Sequence, residues 1–499
     1  MTLLLTALCL YLFSSLVQML FKNTSVRYYF ILVSSFICAC LAGVPAFKAV
    51  KSLSSDYINF AAGKINFTFV LDNIAAPIIL FSSIAVFLIV LNCKKYFLES
   101  GKNDIALCGI SVAAFFALLC SVNAALFCLY LDVMLLSFLF LCKAAKKYFI
   151  LSQIGLLLIA AAFVFIFKQS GTIEFGRLYG AISPYAFALI LIGSLACVSA
   201  AFTAYKKECN FNMPLLLFSS VGITSIGYIL VRFLFLWQRP EEFITYIILV
   251  TGFFIAYRGV LSANSGNSTD RIWNLSCKNF GLMLVALAVS MFGIILRHLP
   301  TMASALFAVY FFMFNQIIGI PALLISAVTS EETAPINSWQ RFLPSNKIYS
   351  GILLFTLFSL PPMSAFAACA LLFNSILAGF EIKNIVFAIL LLLSLVLCVV
   401  IEIFSLRSGA EILQNITAGG SDRIYRLFRI GGFVLILLFA GLFPHIAVEF
   451  FVAPVFVFCG GNLYVPQVML SNISLINISF VMMFLGVYLL KILFVRGNK

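Results

Sequence analysis

Asp132 stands about nine residues from either end of the otherwise uncharged run Asn123 to Cys142, in "LFCLYLDVMLLSFLFL". Lys278 stands in "LSCKNFGLMLVALAVSMFG" and Arg232 in "GYILVRFLFLW". A charge in hydrocarbon is costly, so such residues mark ion paths, proton relays or buried pairs. The chemistry open to them is passing a proton to a chain of waters or neutralising an opposite charge. Asp132 reads either as a conduit carboxyl or as a hydrogen-bonded structural one. Arg232, Glu402 and Glu449 read as lying nearer helix ends. A different signal comes from "FSLPPMSAFAACALLF", where Pro361 and Pro362 interrupt a segment with no charge from Ile348 to Gly379. Proline removes a backbone donor and clashes with the preceding turn, and lipid cannot satisfy the freed carbonyls. The break must face protein or water, or else be a plain kink satisfied by Ser359 or Ser364.

The elements that hold these residues are membrane helices. The chain has 499 residues, 64% hydrophobic and only 10% charged, with mean hydropathy +1.15. A soluble domain of this size could not carry that composition on its surface. Taking roughly 20 apolar residues per span, fifteen runs stand out, near Thr2, Tyr28, Val70, Asp104, Asn123, Tyr148, Ser183, Pro214, Phe243, Cys277, Met302, Ile348, Asn384, Ile430 and Ser471. The fourth and fifth are parted by a thin polar break, so fourteen or fifteen helices are expected. The first run has no Lys or Arg before its apolar core and no small-residue cleavage site, so it is expected to be a membrane helix rather than a removed signal peptide.

Most of the 31 lysines and arginines fall on the odd-numbered connections and the C-terminal tail. The excess of basic residues on the cytoplasmic side then predicts a multi-pass protein of the cell inner (plasma) membrane, with the N-terminus outside and the C-terminus cytoplasmic. The net charge of +14 is thereby assigned to topology and anionic lipid headgroups, and nucleic acid is not an expected partner. Arg423, Arg426 and Arg429 recur at helical spacing, enough for a basic face on the leaflet or on an acidic partner, or for ordinary cytoplasmic charge.

The fourteen cysteines are scattered with no C-x-x-C, and the two histidines, His298 and His445, sit beside prolines at helix ends. No metal site, redox centre or other cofactor is expected. Phosphate-loop, H-E-x-x-H and dinucleotide fingerprints are missing from the sequence. The polar connections are linker-sized, so residues 1–499 are expected to form a single membrane domain.

Several stretches, in order, resemble the antiporter-like membrane subunits of NADH:quinone oxidoreductase, Mrp-type antiporters and group 4 hydrogenases, most of all the large membrane subunit of formate hydrogenlyase and hydrogenase-4. "FTFVLDNIAAPIILF" is similar to the family's third helix, with Asp72 at its aspartate. Leu131 and Asp132 stand at the family's Trp-Glu pair, followed by "AAKKYFILSQIG", close to A-x-x-K-Y-F-x-x-S-x-x-G. Ser276, Asn279 and Gly281 match S-x-x-N-x-G, "SLPPMSAF" resembles L-P-P-x-x-G-F, and "GLFPH" resembles G-L-F-P. The likeness covers roughly Val70 to Pro444.

The resemblance implies an all-α polytopic fold with two inverted five-helix repeats, about residues 104–238 and 242–406, flanked by 1–92 and 430–495. Each repeat is then expected to contain a discontinuous helix, with Pro361 and Pro362 in the second one, facing a hydrated path. It also implies a proton-translocating-type subunit of a hydrogenase or oxidoreductase complex, whose redox centres belong to hydrophilic partner subunits. The sequence departs from that pattern where the family carries its titratable groups. Those positions fall at or near Cys197, Ser225, Gln316, Ile320 and Cys369, and Lys278 takes a place usually held by an acid. Asp132, Lys278 and Arg232 remain as the candidate ion path, and the path is expected to be degenerate. Two rivals are a non-conducting structural subunit of such a complex and a standalone membrane carrier or exporter.

Overall fold

The computed structural model describes the chain apart from residues 53–55, 63–64, 100, 144, 179, 181, 209–212, 238–239, 264–267, 330–352, 354, 357–358, 382–384, 417–422, 460–463 and 498–499. Ten described helices are long and apolar enough to cross a membrane, and four shorter apolar helices accompany them. Chain order begins with α1 (Thr2–Val17), α2 (Thr24–Ser52), α3 (Ala76–Asn92) and the short α4 (Lys94–Glu99). Next come α5 (Lys102–Cys120), α6 (Ala124–Leu141), α7 (Lys146–Ser170), α8 (Pro184–Glu208) and α9 (Met213–Trp237). A second group of five is α10 (Glu242–Ala263), α11 (Ser268–Ile295), α12 (Leu299–Ser326), α13 (Ser364–Gly379) and α14 (Ile385–Ile416). The chain closes with α15 (Arg423–Leu442), α16 (Pro444–Phe458) and α17 (Gln467–Gly497).

The break between the fourth and fifth runs is real: α5 ends at Cys120 and α6 starts at Ala124, with the Asn123 side chain accepting from the Ala125 amide at 2.8 Å as an N-cap. The fifth run thereby separates from the fourth. The connection before α3 is more ordered than its linker-like length implies. It contains the antiparallel hairpin β1 (Asp56–Ala62) and β2 (Ile65–Leu71), with Asp56 opposite Leu71. Its alternating aromatic and β-branched residues are the sequence signal for it.

Consecutive helices pack side by side from α5 to α9 and again from α10 to α14. In both groups the second helix also touches the fourth and the first touches the fifth, so each group closes on itself. Helix α3 lies against α9, α12 and α15. The interior helices are buried throughout: every residue of the apolar windows of α9 and α12 is enclosed, against about a third of those in α2 and α7. Exposed leucines, isoleucines and phenylalanines on α1, α2, α7, α10 and α14 form the outer, lipid-compatible surface.

Two helices carry interruptions that the sequence reading did not anticipate. Phe218–Gly222 in α9 and Asn315–Gly319 in α12 are π-helical, a geometry that frees backbone carbonyls and often accompanies functional sites. Helix α8 runs unbroken over its 25 residues, unlike the discontinuous helix expected in each repeat. With no proline between Tyr185 and Glu208, nothing removes an amide donor from its ladder. A further surprise follows "GLFP": α16 turns 87° from the end of α15 at Phe443, where Pro444 ends one helix and starts the next.

A candidate charge centre at the helix break

Lys278 projects from α11 and Glu402 from α14, and their side chains meet inside the bundle. The ammonium Nζ lies 2.9 Å from Oε2 and 3.1 Å from Oε1. The lysine side chain is completely buried and the glutamate side chain is 15% exposed. Three further side chains surround the carboxylate, with the Ser405 hydroxyl donating at 2.7 Å to the Glu402 backbone carbonyl. Ser359 Oγ donates to Oε1 at 3.1 Å, Cys369 Sγ approaches the same oxygen at 3.5 Å, and Ser405 Oγ lies 3.1 Å from Oε2. Taking two charges out of water is costly, and only such satisfaction of the remaining lone pairs offsets it.

Local sequence explains how those groups converge. Gly281 on α11 faces Gly252 and Ala256 on α10 so closely that a Cβ there would lie 2.5 Å from the Ala256 amide nitrogen. This small-residue crossing fixes the segment of α11 that carries Lys278. The proline pair ends the helical path: Ser359 to Met363 are non-helical, and α13 starts at Ser364. Ser359 takes a left-handed backbone, φ 50°, a strained conformation for a serine that turns its hydroxyl toward Glu402. Pro362 is buried, and its carbonyl is covered by Gly441 of α15, where a Cβ would come within 1.9 Å. Pro362 thus packs against α15, whereas Ser359 and Leu360 border a cleft.

The polar groups continue away from the pair. Ser364 Oγ donates to Asn315 Oδ1 at 2.5 Å. The π-helical turns of α9 and α12 bond each other reciprocally, Ser220 Oγ to the Ile317 carbonyl and Gln316 Nε2 to the Ser219 carbonyl, both at 2.8 Å. A cleft of about 990 Å³ opens beside the centre between α13, α14 and the start of α17. Glu402, Ser359, Cys369 and Asn374 are among its lining residues, so water or a cation entering it meets the carboxylate while Lys278 stays behind.

The remaining sequence-derived candidates lie apart, each with its own partner. Asp132 on α6 accepts from Gln153 Nε2 of α7 at 2.7 Å, and both residues are half-buried. Arg232 on α9 forms an ion pair with Asp72, whose other oxygen accepts from the Ala75 amide at 2.9 Å. Its guanidinium also sits 5.8 Å from the centroid of the Phe175 ring. Glu402 is the member of the pair that the sequence does not single out. Its apolar run ends near Leu406, whereas α14 continues to Ile416, and the lysine that pairs with it is 124 residues away in the chain. Among the described residues no group of three or more His, Cys, Asp or Glu side chains could hold a metal ion.

No family model and no curated protein sequence matches the chain. Solved structures do. A chain of the Mrp complex from Dietzia sp. DQ12-45-1b aligns with TM-score 0.71 at 15% identity, over 95% of this chain and 100% of its own. A chain of the membrane-bound sulfane sulfur reductase, an archaeal respiratory membrane complex, aligns with TM-score 0.75 at 15% identity, over 92% and 97%. One from respiratory complex I of Thermus thermophilus gives 0.71 at 15% identity, over 93% and 100%. The fold is that of the antiporter-like membrane subunits. Motif order and three-dimensional similarity thus agree on the architecture, and the fold makes this a multi-pass membrane protein built like subunits of multisubunit complexes.

Proposed function

We propose that the chain is an antiporter-like membrane subunit of a respiratory or hydrogenase-type complex, retaining one charge centre, Lys278–Glu402, of an otherwise degenerate ion path. The observation that carries this reading is a wholly buried lysine paired to a glutamate beside a helix break and an open cleft. Buried intramembrane charges of this kind are expensive to keep and serve ion pathways. The two self-closing groups of five helices support the inverted-repeat arrangement of residues 104–238 and 242–406.

Degeneracy follows from the spacing of titratable groups. Proton transfer across about 30 Å of hydrocarbon needs successive relay sites. Asp132 is hydrogen-bonded to a neutral glutamine, Arg232 is bound to Asp72, and Cys197, Ser225 and Gln316 are poor relays. The proposed partners are other membrane subunits and hydrophilic redox subunits, with the N-terminus outside and the C-terminus in the cytoplasm.

Affinity purification of the full-length chain from its native membrane tests the assignment. Membrane and redox subunits should co-purify in fixed ratio. A single chain that purifies alone and transports a solute in liposomes would instead make it a standalone carrier.

A further inference from the structure

A second cleft, of about 640 Å³, lies between α7 and α8 on one side and α10 and α11 on the other. Its walls are apolar, with Leu195, Ile255 and Phe280 among them. Among the described residues one cation lines it, Arg258, exposed near the C-terminal end of α10, and it makes no ion pair or hydrogen bond with them. Ser199, Thr203 and Ser262 line the same cleft. The ends of α8 and α10 lie on one side of the membrane, because one helix, α9, separates α8 from α10 and reverses direction each time. The polar lining therefore gathers at a single interface.

We infer that this cleft binds one anionic phospholipid, its phosphate on Arg258 and an acyl chain among the apolar walls. An arginine on a lipid-facing flank needs a counter-anion, and its planar fork matches phosphate oxygens in a two-point contact. Basic pockets between membrane helices on the cytoplasmic side hold anionic headgroups in this way, and the topology proposed above puts Arg258 on that side. The serine and threonine hydroxyls now donate to carbonyls of their own helix, Ser199 to Ala196 and Thr203 to Ser199. They can rotate to a phosphate or accept from a glycerol headgroup. A lipid seated there bridges the two five-helix groups.

Native mass spectrometry of the purified chain, or of its complex, with added phosphatidylglycerol or phosphatidylcholine tests the site. The wild type should retain phosphatidylglycerol in preference to phosphatidylcholine, and Arg258→Gln should weaken retention about fivefold. Ala196→Trp, which fills the cleft, should lower retention of both lipids, while inorganic phosphate should not compete. Unfolding temperatures of both variants report folding independently, and a variant that fails to fold is replaced by Arg258→Lys, for which the loss should be partial. Equal retention of the two lipids, no change in Arg258→Gln, or displacement by inorganic phosphate alone would overturn the inference. So would a photo-crosslink from position 258 that captures a protein helix in place of lipid.

Discussion

Lys278 Nζ contacts both oxygens of Glu402, at 2.9 and 3.1 Å, joining α11 to α14 across a helix break. Neither residue has a water-filled alternative on the lysine's side, since that side chain has no exposed surface. Each charge is tolerated because the other is present.

Removing one member should therefore cost more than removing both. Lys278→Met and Glu402→Gln are each expected to lower stability by about 3–5 kcal/mol, through the charge left buried. The double variant should recover a large part of that loss. Thermal or denaturant unfolding in detergent measures the coupling. Additive losses would mean that the two groups do not share an environment.

Gly441 provides a second, steric test. A methyl group there meets the Pro362 carbonyl at 1.9 Å, and that carbonyl is backbone. Gly441→Ala should destabilise by about 1–3 kcal/mol through forced displacement of the break. Gly431, ten residues earlier on α15, has nothing within 4 Å, so Gly431→Ala should be neutral or stabilising by up to ~1 kcal/mol. Equal effects at both positions would show that α15 does not press on the proline pair.

Asp132 should tolerate neutralisation. An asparagine oxygen can accept the same bond from Gln153 Nε2, now 2.7 Å from the carboxylate, so Asp132→Asn should change stability by less than ~1 kcal/mol. It should also leave assembly with partner subunits intact, as judged by co-purification. Loss of the complex in this variant would give the carboxylate a role that its surroundings do not suggest.

These positions differ in how far the sequence revealed them. The all-helical membrane architecture, the α5–α6 break and the interruption at Pro361–Pro362 follow from local signals, since apolar length and proline act on their own segment, whereas ten described helices reach spanning length against the fourteen or fifteen expected. Lys278 was visible as a charge in an apolar run, but its partner was not. Pairing between residues 124 positions apart depends on helix packing, and Glu402 lay where the apolar run, though not the helix, comes to an end. The π-helical turns were equally hidden, because nothing in "FSSVG" or "NQIIG" forbids an ordinary helix. The hairpin before α3 did have a signal, its aromatic alternation, obscured by the expectation that a short polar connection is irregular. Likeness to a family with broken helices in both repeats also outweighed the plain absence of proline from the interior of α8.

The central claim, a membrane subunit whose ion path has lost its relays, is tested most directly by proton flux. The purified chain in liposomes with an internal pH dye should dissipate an imposed gradient no faster than protein-free liposomes do. Lys278→Met, Glu402→Gln and Asp132→Asn should then leave that baseline unchanged. Robust wild-type flux that is abolished by Glu402→Gln or Lys278→Met would contradict the account, showing that the path has been rebuilt around this pair and that the chain works as a pump.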